Sequence, residues 1–175
     1  MNKLITTVLL TTVLLAASAA NVTAATTVPS TKLVAIHQVD ARVTALKNVL
    51  ERYNSPLASY SQVFVDTADK YEMDWKLLPA IAGLESSFGL HQPVDSNNSY
   101  GWGGGRIHFE TVEEGIDTVL SALKNKYALR GATTVETIAP IYSESPTWAP
   151  RVNIFINKFE AEYDRLGMHN LTLTI

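Results

Sequence analysis

The sequence contains no cysteine, and this absence excludes several kinds of protein. No disulfide can form, no thiol can act as a nucleophile, and no metal can be held by thiolates. The four histidines also lack the His-x-x-x-His spacing that places two metal ligands on one helix face. We therefore expect no metal and no other cofactor, and a fold stabilised by apolar burial alone.

Excess positive charge is absent as well. Lys and Arg together number 14 against 17 Asp and Glu, a formal net charge of -3. A weakly negative chain does not capture a phosphate backbone by electrostatic attraction, so nucleic acid is not expected as a partner. The hydrophobic content of 46% and charged content of 18% are those of a globular protein.

A long apolar run occurs only near the start of the chain. Residues Leu4 to Ala17 are apolar apart from Thr, follow Lys3, and precede small residues that suit signal peptidase. Residues 1–24 are therefore predicted to be a secretory signal peptide, and residues 25–38 a Thr/Ser/Pro-containing linker. The run is shorter than the roughly 20 residues of a membrane span, although an uncleaved anchor is the alternative. We expect a secreted, periplasmic or wall-associated protein with no stable membrane anchor after cleavage.

The remainder is predicted to be an all-α domain at residues 39–167. Apolar residues at helical spacing, with capping and stop signals, indicate six helices. They lie at about residues 39–53, 59–71, 74–87, 111–127, 133–141 and 148–166. Gly167 is the expected stop of the last helix, and residues 168–175 form a tail that is either a short strand or disordered. Residues 89–108, rich in Gly, Asn and Ser, predict a long loop or short hairpin of the kind that often carries function.

One carboxylate interrupts an apolar pattern. In the segment "AIAGLESSFG", Glu85 falls within about 60 degrees of Leu78, Ile81 and Phe88 on a helical wheel. It also lies in the last turn, where the negative end of the helix dipole opposes a carboxylate. Both effects favour the protonated form of Glu85.

A carboxyl that keeps its proton near neutral pH can donate it to a poor leaving group such as a glycosidic oxygen. Glu85 is therefore a candidate general acid. The alternative is a glutamate at the edge of the core, bonded to a backbone N–H or paired with Arg106 or Arg151.

The segment around Glu85 resembles the signature of the lysozyme-like superfamily, in particular bacterial lytic transglycosylases and cell-wall glucosaminidases. Three later segments are similar to that family in the same order: "SNNSYGWGGG", "FETVEEGIDTVLSALKNKY" and "IAPIYSESPTWAPRVNIFINKF". The resemblance covers roughly Tyr60 to Phe159. It implies a lysozyme-like fold whose partner is the β-1,4 glycan strand of peptidoglycan.

The resemblance also implies roles for individual residues. Glu85 matches the catalytic acid, and Tyr142 resembles a tyrosine that faces it. Four other positions match residues that hold the acid or line the sugar cleft: Ser86, Asn98, Tyr100 and Trp102. The Gly-Leu-Met-Gln element of typical lytic transglycosylases is missing, so the branch stays open.

Hydrolysis of a glycoside ordinarily uses two carboxyl groups. Asp95, in the loop after Glu85, is the best-placed second carboxyl and a candidate substrate-site residue, with Glu144 as the other choice. By the resemblance, a lytic transglycosylase needs only one acid, which protonates the leaving oxygen and then helps the sugar's own 6-hydroxyl close an anhydro ring.

The aromatic rings of the loop also have two interpretations. Tyr100 and Trp102 among glycines suit a sugar cleft, or they are simply buried in the loop. Trp148 and Phe88 are expected in the core. The alternatives to a transglycosylase or glucosaminidase are a hydrolysing muramidase and a glycan-binding or structural domain without activity.

Overall fold

The computed structural model describes residues 40–172. The predicted signal peptide and linker lie outside the described residues. Within that range the only regular elements are helices, which confirms the all-α class. The six α-helices are α1 (Ala41–Arg52), α2 (Ser61–Lys70), α3 (Leu77–Ser86), α4 (Val112–Ala122), α5 (Val135–Tyr142) and α6 (Trp148–Thr172).

Three short helical segments connect them. A 3₁₀ turn, Pro56–Tyr60, leads into α2. A π-helical turn, Leu123–Tyr127, and a second 3₁₀ turn, Ala128–Arg130, follow α4. The sequence predicts one continuous helix up to Tyr127, so the π turn is a departure from that prediction.

Helix starts follow the capping residues of the sequence with small shifts. Thr111 caps α4 as predicted, because its hydroxyl accepts a hydrogen bond from the Glu114 N–H at 3.1 Å. The Glu114 carboxylate accepts from the Glu110 N–H rather than from Thr111, so the predicted capping box is only half formed. Thr134, and not Thr133 as predicted, caps α5.

The start of α3 and the end of α6 also differ from the prediction. Asp74 accepts from the Lys76 N–H at 3.0 Å and caps a turn, so α3 begins only at Leu77. The predicted stop at Gly167 is wrong, and so is the predicted strand or disordered tail as far as Thr172, because α6 continues through these residues. Gly167 does not take the positive φ of a helix terminator, and a helix tolerates such a glycine at a cost of about 1 kcal/mol.

The core lies where α6 packs against α1 and α3, with α2 packed against α4. Leu46, Leu78, Ile81, Val152 and Phe159 are all fully buried there. Tyr163, expected to face inward, is instead 37% exposed at the far part of α6. Within residues 40–172, no helix is both long and apolar enough to cross a bilayer.

The end of α3 positions the candidate site. Ser87 and Phe88 both adopt left-handed backbone conformations, with φ of 50° and 60°. This sharp end turns the Phe88 ring back into the core, as predicted, where it meets Phe155 edge to face at 5.1 Å. Residues 87–111 then form a long loop that contains no strand, which confirms the loop rather than the hairpin.

Candidate active site

Glu85 lies in the last turn of α3, and its side chain is exposed. The expectation that apolar neighbours bury it is therefore wrong. Phe88 lies near Glu85 on an ideal wheel, but the left-handed end of α3 carries Phe88 into the core and leaves the Glu85 carboxylate uncovered. Apolar cover, one of the two features on which the expectation for Glu85 was based, is thus absent, whereas its place in the last turn of α3 is as predicted.

One hydrogen bond and one close backbone approach hold the carboxylate. The indole N–H of Trp148 donates to Glu85 Oε1 at 2.7 Å. Gly101 lies against the other oxygen, since a Cβ at that position would be 3.0 Å from Glu85 Oε2. Gly101 also has a φ of 63°, so glycine is required there for two reasons. Among the described residues no cation pairs with Glu85, so the predicted alternative of an ion pair with Arg106 or Arg151 does not occur there.

Ser86 joins α3 to the loop. Its hydroxyl donates to the Ser99 carbonyl at 2.7 Å and accepts from the Gly89 N–H at 2.8 Å. Ser86 is buried, at 4% exposure, so it supports the end of the helix beside Glu85 and does not offer a surface to a substrate.

Asn98 organises the loop in the same way. Its amide donates to the carbonyls of Trp102 and Ile107 at 2.9 and 2.8 Å, and its carbonyl oxygen accepts from the Trp102 N–H at 2.9 Å. Because the residue is 1% exposed and its polar atoms are already bonded, Asn98 fixes Trp102 in place. The direct sugar contact expected for Asn98 is therefore not available in this structure.

Two tyrosines connect the loop to α5. The Tyr142 hydroxyl donates to the Tyr100 carbonyl at 2.7 Å, and the Tyr142 ring stacks on Trp148 with centroids 4.9 Å apart. Burial raises the pKa of the Tyr142 hydroxyl well above its ordinary value, and the nearby Glu85 carboxylate raises it further. Tyr142 therefore stays neutral and supports the tryptophan that holds Glu85.

Tyr100 itself is completely buried. Its ring lies under α4, beside Gly115, and does not line the groove as the resemblance implies. Its hydroxyl has no hydrogen-bond partner among the residues that the structure describes, and burial raises its pKa. The backbone carbonyl of Tyr100, rather than its ring, contributes to the site.

A cavity of about 400 Å³ opens beside Gly101. Its aromatic wall consists of Trp102, Tyr127 and Tyr142, whose ring centroids lie 5.8 to 6.3 Å apart. Gly103, Gly104 and Ile141 complete the lining. Flat, half-buried rings next to exposed backbone form a surface on which a sugar ring can stack while its hydroxyls bond to peptide groups.

The predicted second carboxyl group is not part of this cavity. Asp95 is exposed in the loop at a φ of 55°, and Glu144 lines a different pocket beside α5. Neither residue is in the lining of the Trp102 cavity. Within the described part of the chain no cluster of His, Asp and Glu could hold a metal ion.

Three residues of this site were missed by reasoning from the sequence. Trp148 is buried as expected, at 2% exposure, yet its indole N–H is the hydrogen-bond donor to Glu85. Tyr127 reaches the cavity from the π turn, and Gly101 supports the carboxylate. The segment that contains Tyr142 and Trp148 resembles the family, and that resemblance could have identified Trp148 as a site residue. Neither spacing nor composition indicates that Tyr127 belongs to the site.

Comparison of this chain with protein-family models and with curated proteins gives no match.

Proposed function

We propose that this protein is a secreted enzyme that cleaves the β-1,4 glycan strand of peptidoglycan, with Glu85 as the general acid. The observation that carries the proposal is the arrangement of Glu85, Trp148 and Gly101 at the end of α3. A carboxylate accepts a hydrogen bond from a tryptophan N–H and lies against Gly101, which lines an aromatic-walled cavity. The cavity offers stacking surfaces to a sugar, and the carboxyl group lies next to it.

Glu85 must be protonated when the glycosidic bond breaks. A glycan lying along the cavity would cover the exposed carboxylate and exclude water from it, which favours its neutral form. Glu85 then donates its proton to the glycosidic oxygen, and the bond from that oxygen to C1 breaks. The Trp148 N–H remains on Glu85 Oε1 and keeps Oε2 beside Gly101, a residue of the cavity lining.

Glu85 lies against Gly101 of the cavity lining, whereas neither Asp95 nor Glu144 lines the cavity, and this favours chemistry that needs one acid. In that case the Glu85 carboxylate takes the proton of the 6-hydroxyl on the cleaved sugar, and the 6-oxygen bonds to C1 as an anhydro ring. A water molecule attacking C1 instead would give a reducing end, the product of a glucosaminidase or muramidase. Glu85 beside Gly101, with neither Asp95 nor Glu144 in the cavity lining, supports the transglycosylase among these choices.

A second candidate is a glycan-binding domain without catalytic activity. The exposure of Glu85 supports it, because an exposed carboxylate is also what a simple binding surface would carry. Such a domain needs the aromatic wall of Trp102 and Tyr127 but does not need the acid.

The experiment is digestion of purified sacculi, with mass spectrometry of the products. Wild-type protein is expected to release anhydro-ended fragments, and Glu85→Gln to release none while still binding sacculi. Glu144→Gln is a matched control, since its carboxyl group is exposed and outside the cavity, and it should behave as wild type.

Each outcome decides between the candidates. Reducing ends would assign a hydrolase and reject the transglycosylase. No products from folded wild-type protein that binds sacculi would reject the enzyme and support the binding domain. Equal product release by wild type and Glu85→Gln would remove Glu85 from the mechanism.

A further inference from the structure

A second cleft, distinct from the Trp102 cavity, lies between α1 and α6. It has a volume of about 470 Å³. Its polar lining consists of Arg52 on α1 and Lys158, Glu162 and Arg165 on α6, and Tyr53 forms part of its apolar wall. None of these residues takes part in the glycan site proposed above.

Glu162 organises the two arginines of this cleft. Its carboxylate is only 5% exposed, and it accepts hydrogen bonds from Asn48 at 2.9 Å, from Arg52 at 3.2 Å and from Arg165 at 2.6 and 3.1 Å. The arginine side chains themselves are 55% and 60% exposed. A buried carboxylate thus fixes two guanidinium groups at the rim of an open cleft.

Positive charge exceeds negative charge in this cleft, although the chain as a whole is negative. Three cations and one carboxylate line it. Within the described residues, Lys158 has no ion-pair or hydrogen-bond partner. Arg52 donates one N–H group to Glu162, and Arg165 donates two. Most donors of the two guanidiniums, and all those of Lys158, are therefore left for another acceptor.

We propose that the cleft between α1 and α6 is a binding site for a phosphate group, held by Arg52, Lys158 and Arg165. Phosphate is favoured over a carboxylate because it presents three or more oxygens, which match three separate cations, and because the guanidinium fork bonds two phosphate oxygens at once. The volume of the cleft exceeds that of the bare ion, so the phosphate can be part of a larger ester whose carbon chain lies on Tyr53.

The test is an NMR titration of the ¹⁵N-labelled protein with inorganic phosphate, at an ionic strength held constant with sodium chloride. Saturable shifts are expected for backbone amides around Arg52, Tyr53 and Lys158. Lys158→Gln should weaken binding about tenfold, the usual effect of losing one charge-assisted hydrogen bond. This variant should fold normally because Lys158 is exposed and holds no other residue. Lys47→Gln, which removes an α1 cation outside the cleft, is the matched control and should bind as wild type.

Two further probes identify the source of the phosphate. Tighter binding of a soluble glycerol phosphodiester oligomer than of inorganic phosphate would indicate a polymer, whereas binding to phosphatidylglycerol vesicles alone would indicate a lipid head group. In either case Lys158→Gln must weaken the binding. Shifts that do not saturate, or that Lys47→Gln reduces as much as Lys158→Gln, would overturn the proposal and indicate only diffuse attraction. Because Glu85 takes no part in the titration, the result is independent of whether the protein cleaves glycans.

Discussion

Glu162, which lines the cleft between α1 and α6, and Glu85, which lies beside Gly101 of the Trp102 cavity, are bound in opposite ways. Glu162 is 5% exposed and accepts four hydrogen bonds from three side chains. Glu85 is exposed and accepts one side-chain hydrogen bond, from Trp148. Both lie on helices that pack in the same core, so the difference arises from the partners that the fold supplies to each carboxylate.

The hydrogen-bond partners of each carboxylate determine its role. Glu162 has its acceptor positions filled by groups of α1 and α6, so it stabilises their packing and keeps its charge at neutral pH. Glu85 has a hydrogen bond on Oε1 only, and Oε2 lies beside Gly101, a residue of the cavity lining. We therefore expect substitutions of Glu162 to change stability and substitutions of Glu85 to change activity.

The largest expected effect separates the two residues by activity. Glu85→Gln should lower the rate of glycan cleavage by about 10²- to 10⁴-fold, the usual contribution of a general acid, and leave the melting temperature nearly unchanged. Glu162→Gln should do the reverse, with a lower melting temperature and nearly normal activity below it. Rates on sacculi and calorimetry of both variants measure this, and a large loss of activity in Glu162→Gln alone would invert the assignment.

The next effect is the pH dependence of stability. The hydrogen bonds from Arg165, with those from Asn48 and the charge of Arg52, lower the pKa of Glu162 from 4.5 to about 2. A lowered pKa means stability that is present above pH 4.5 and is lost as the pH falls toward 2. Because the arginines are more than half exposed, water screens part of their interaction with Glu162. We therefore expect Glu162 to contribute about 2 kcal/mol to the free energy of unfolding at pH 7, less than the whole pKa shift would correspond to.

The measurement is urea unfolding of wild type and Glu162→Gln between pH 7 and pH 2. The two free energies of unfolding should differ at pH 7 and converge at the lowest pH. Glu51→Gln, which removes an exposed partner of Lys47, should stay within about 0.5 kcal/mol of wild type throughout. A constant difference at every pH would mean that charge is not the source of the Glu162 contribution.

A smaller effect is expected from the tryptophan that holds Glu85. Trp148→Phe keeps an aromatic ring for stacking on Tyr142 but removes the N–H that bonds Glu85. Loss of a hydrogen bond to a charged group costs about 1.5 to 3 kcal/mol, so cleavage should slow by about tenfold or more. Trp75→Phe, which alters a half-buried ring at the α6 core away from Glu85, controls for the change of residue type. Equal activity in the two variants would show that the Trp148 hydrogen bond does not position the acid.

The smallest effect concerns Tyr100. Its buried hydroxyl has no partner among the described residues, so Tyr100→Phe should be neutral or stabilising by up to about 1 kcal/mol. Tyr71→Phe removes a hydroxyl that bonds Asp117 at 3.1 Å and should be destabilising by a similar amount. Thermal unfolding of both variants compares an unsatisfied hydroxyl with a satisfied one, and clear destabilisation by Tyr100→Phe would indicate a bound water on that hydroxyl.

Local signals in the sequence explain most of the fold. The start of α4 follows from Thr111, and the end of α1 follows from the Asn54-Ser55-Pro56 turn, because capping and proline effects act within one helical turn. The extension of α6 past Gly167 was not predicted, since glycine stops a helix only where the chain turns into a left-handed conformation. Periodicity alone contains no information about that choice.

The candidate site was predicted only in part, for a similar reason. Glu85 and the loop with Trp102 stand out because a charge in an apolar pattern and aromatics among glycines are visible along the chain. The exposure of Glu85 depends on the backbone of Ser87 and Phe88, and its hydrogen bond to Trp148 joins residues 63 positions apart. Contacts over such distances follow from the packing of α6 on α3 and have no local pattern in the sequence.

The π turn of Leu123–Tyr127 gives the site an unusual kind of fragility. Such a turn contains one more residue than the α-helical turn that it replaces, so losing a single codon in this segment would restore ordinary helical register. The residues beyond the deletion would keep their positions, because the wider turn takes up its extra residue without rotating the chain that follows. A substitution that closed all five residues into α-helical turns would instead rotate the ring of Tyr127 by about 100 degrees around the helix axis and remove it from the wall that it shares with Trp102.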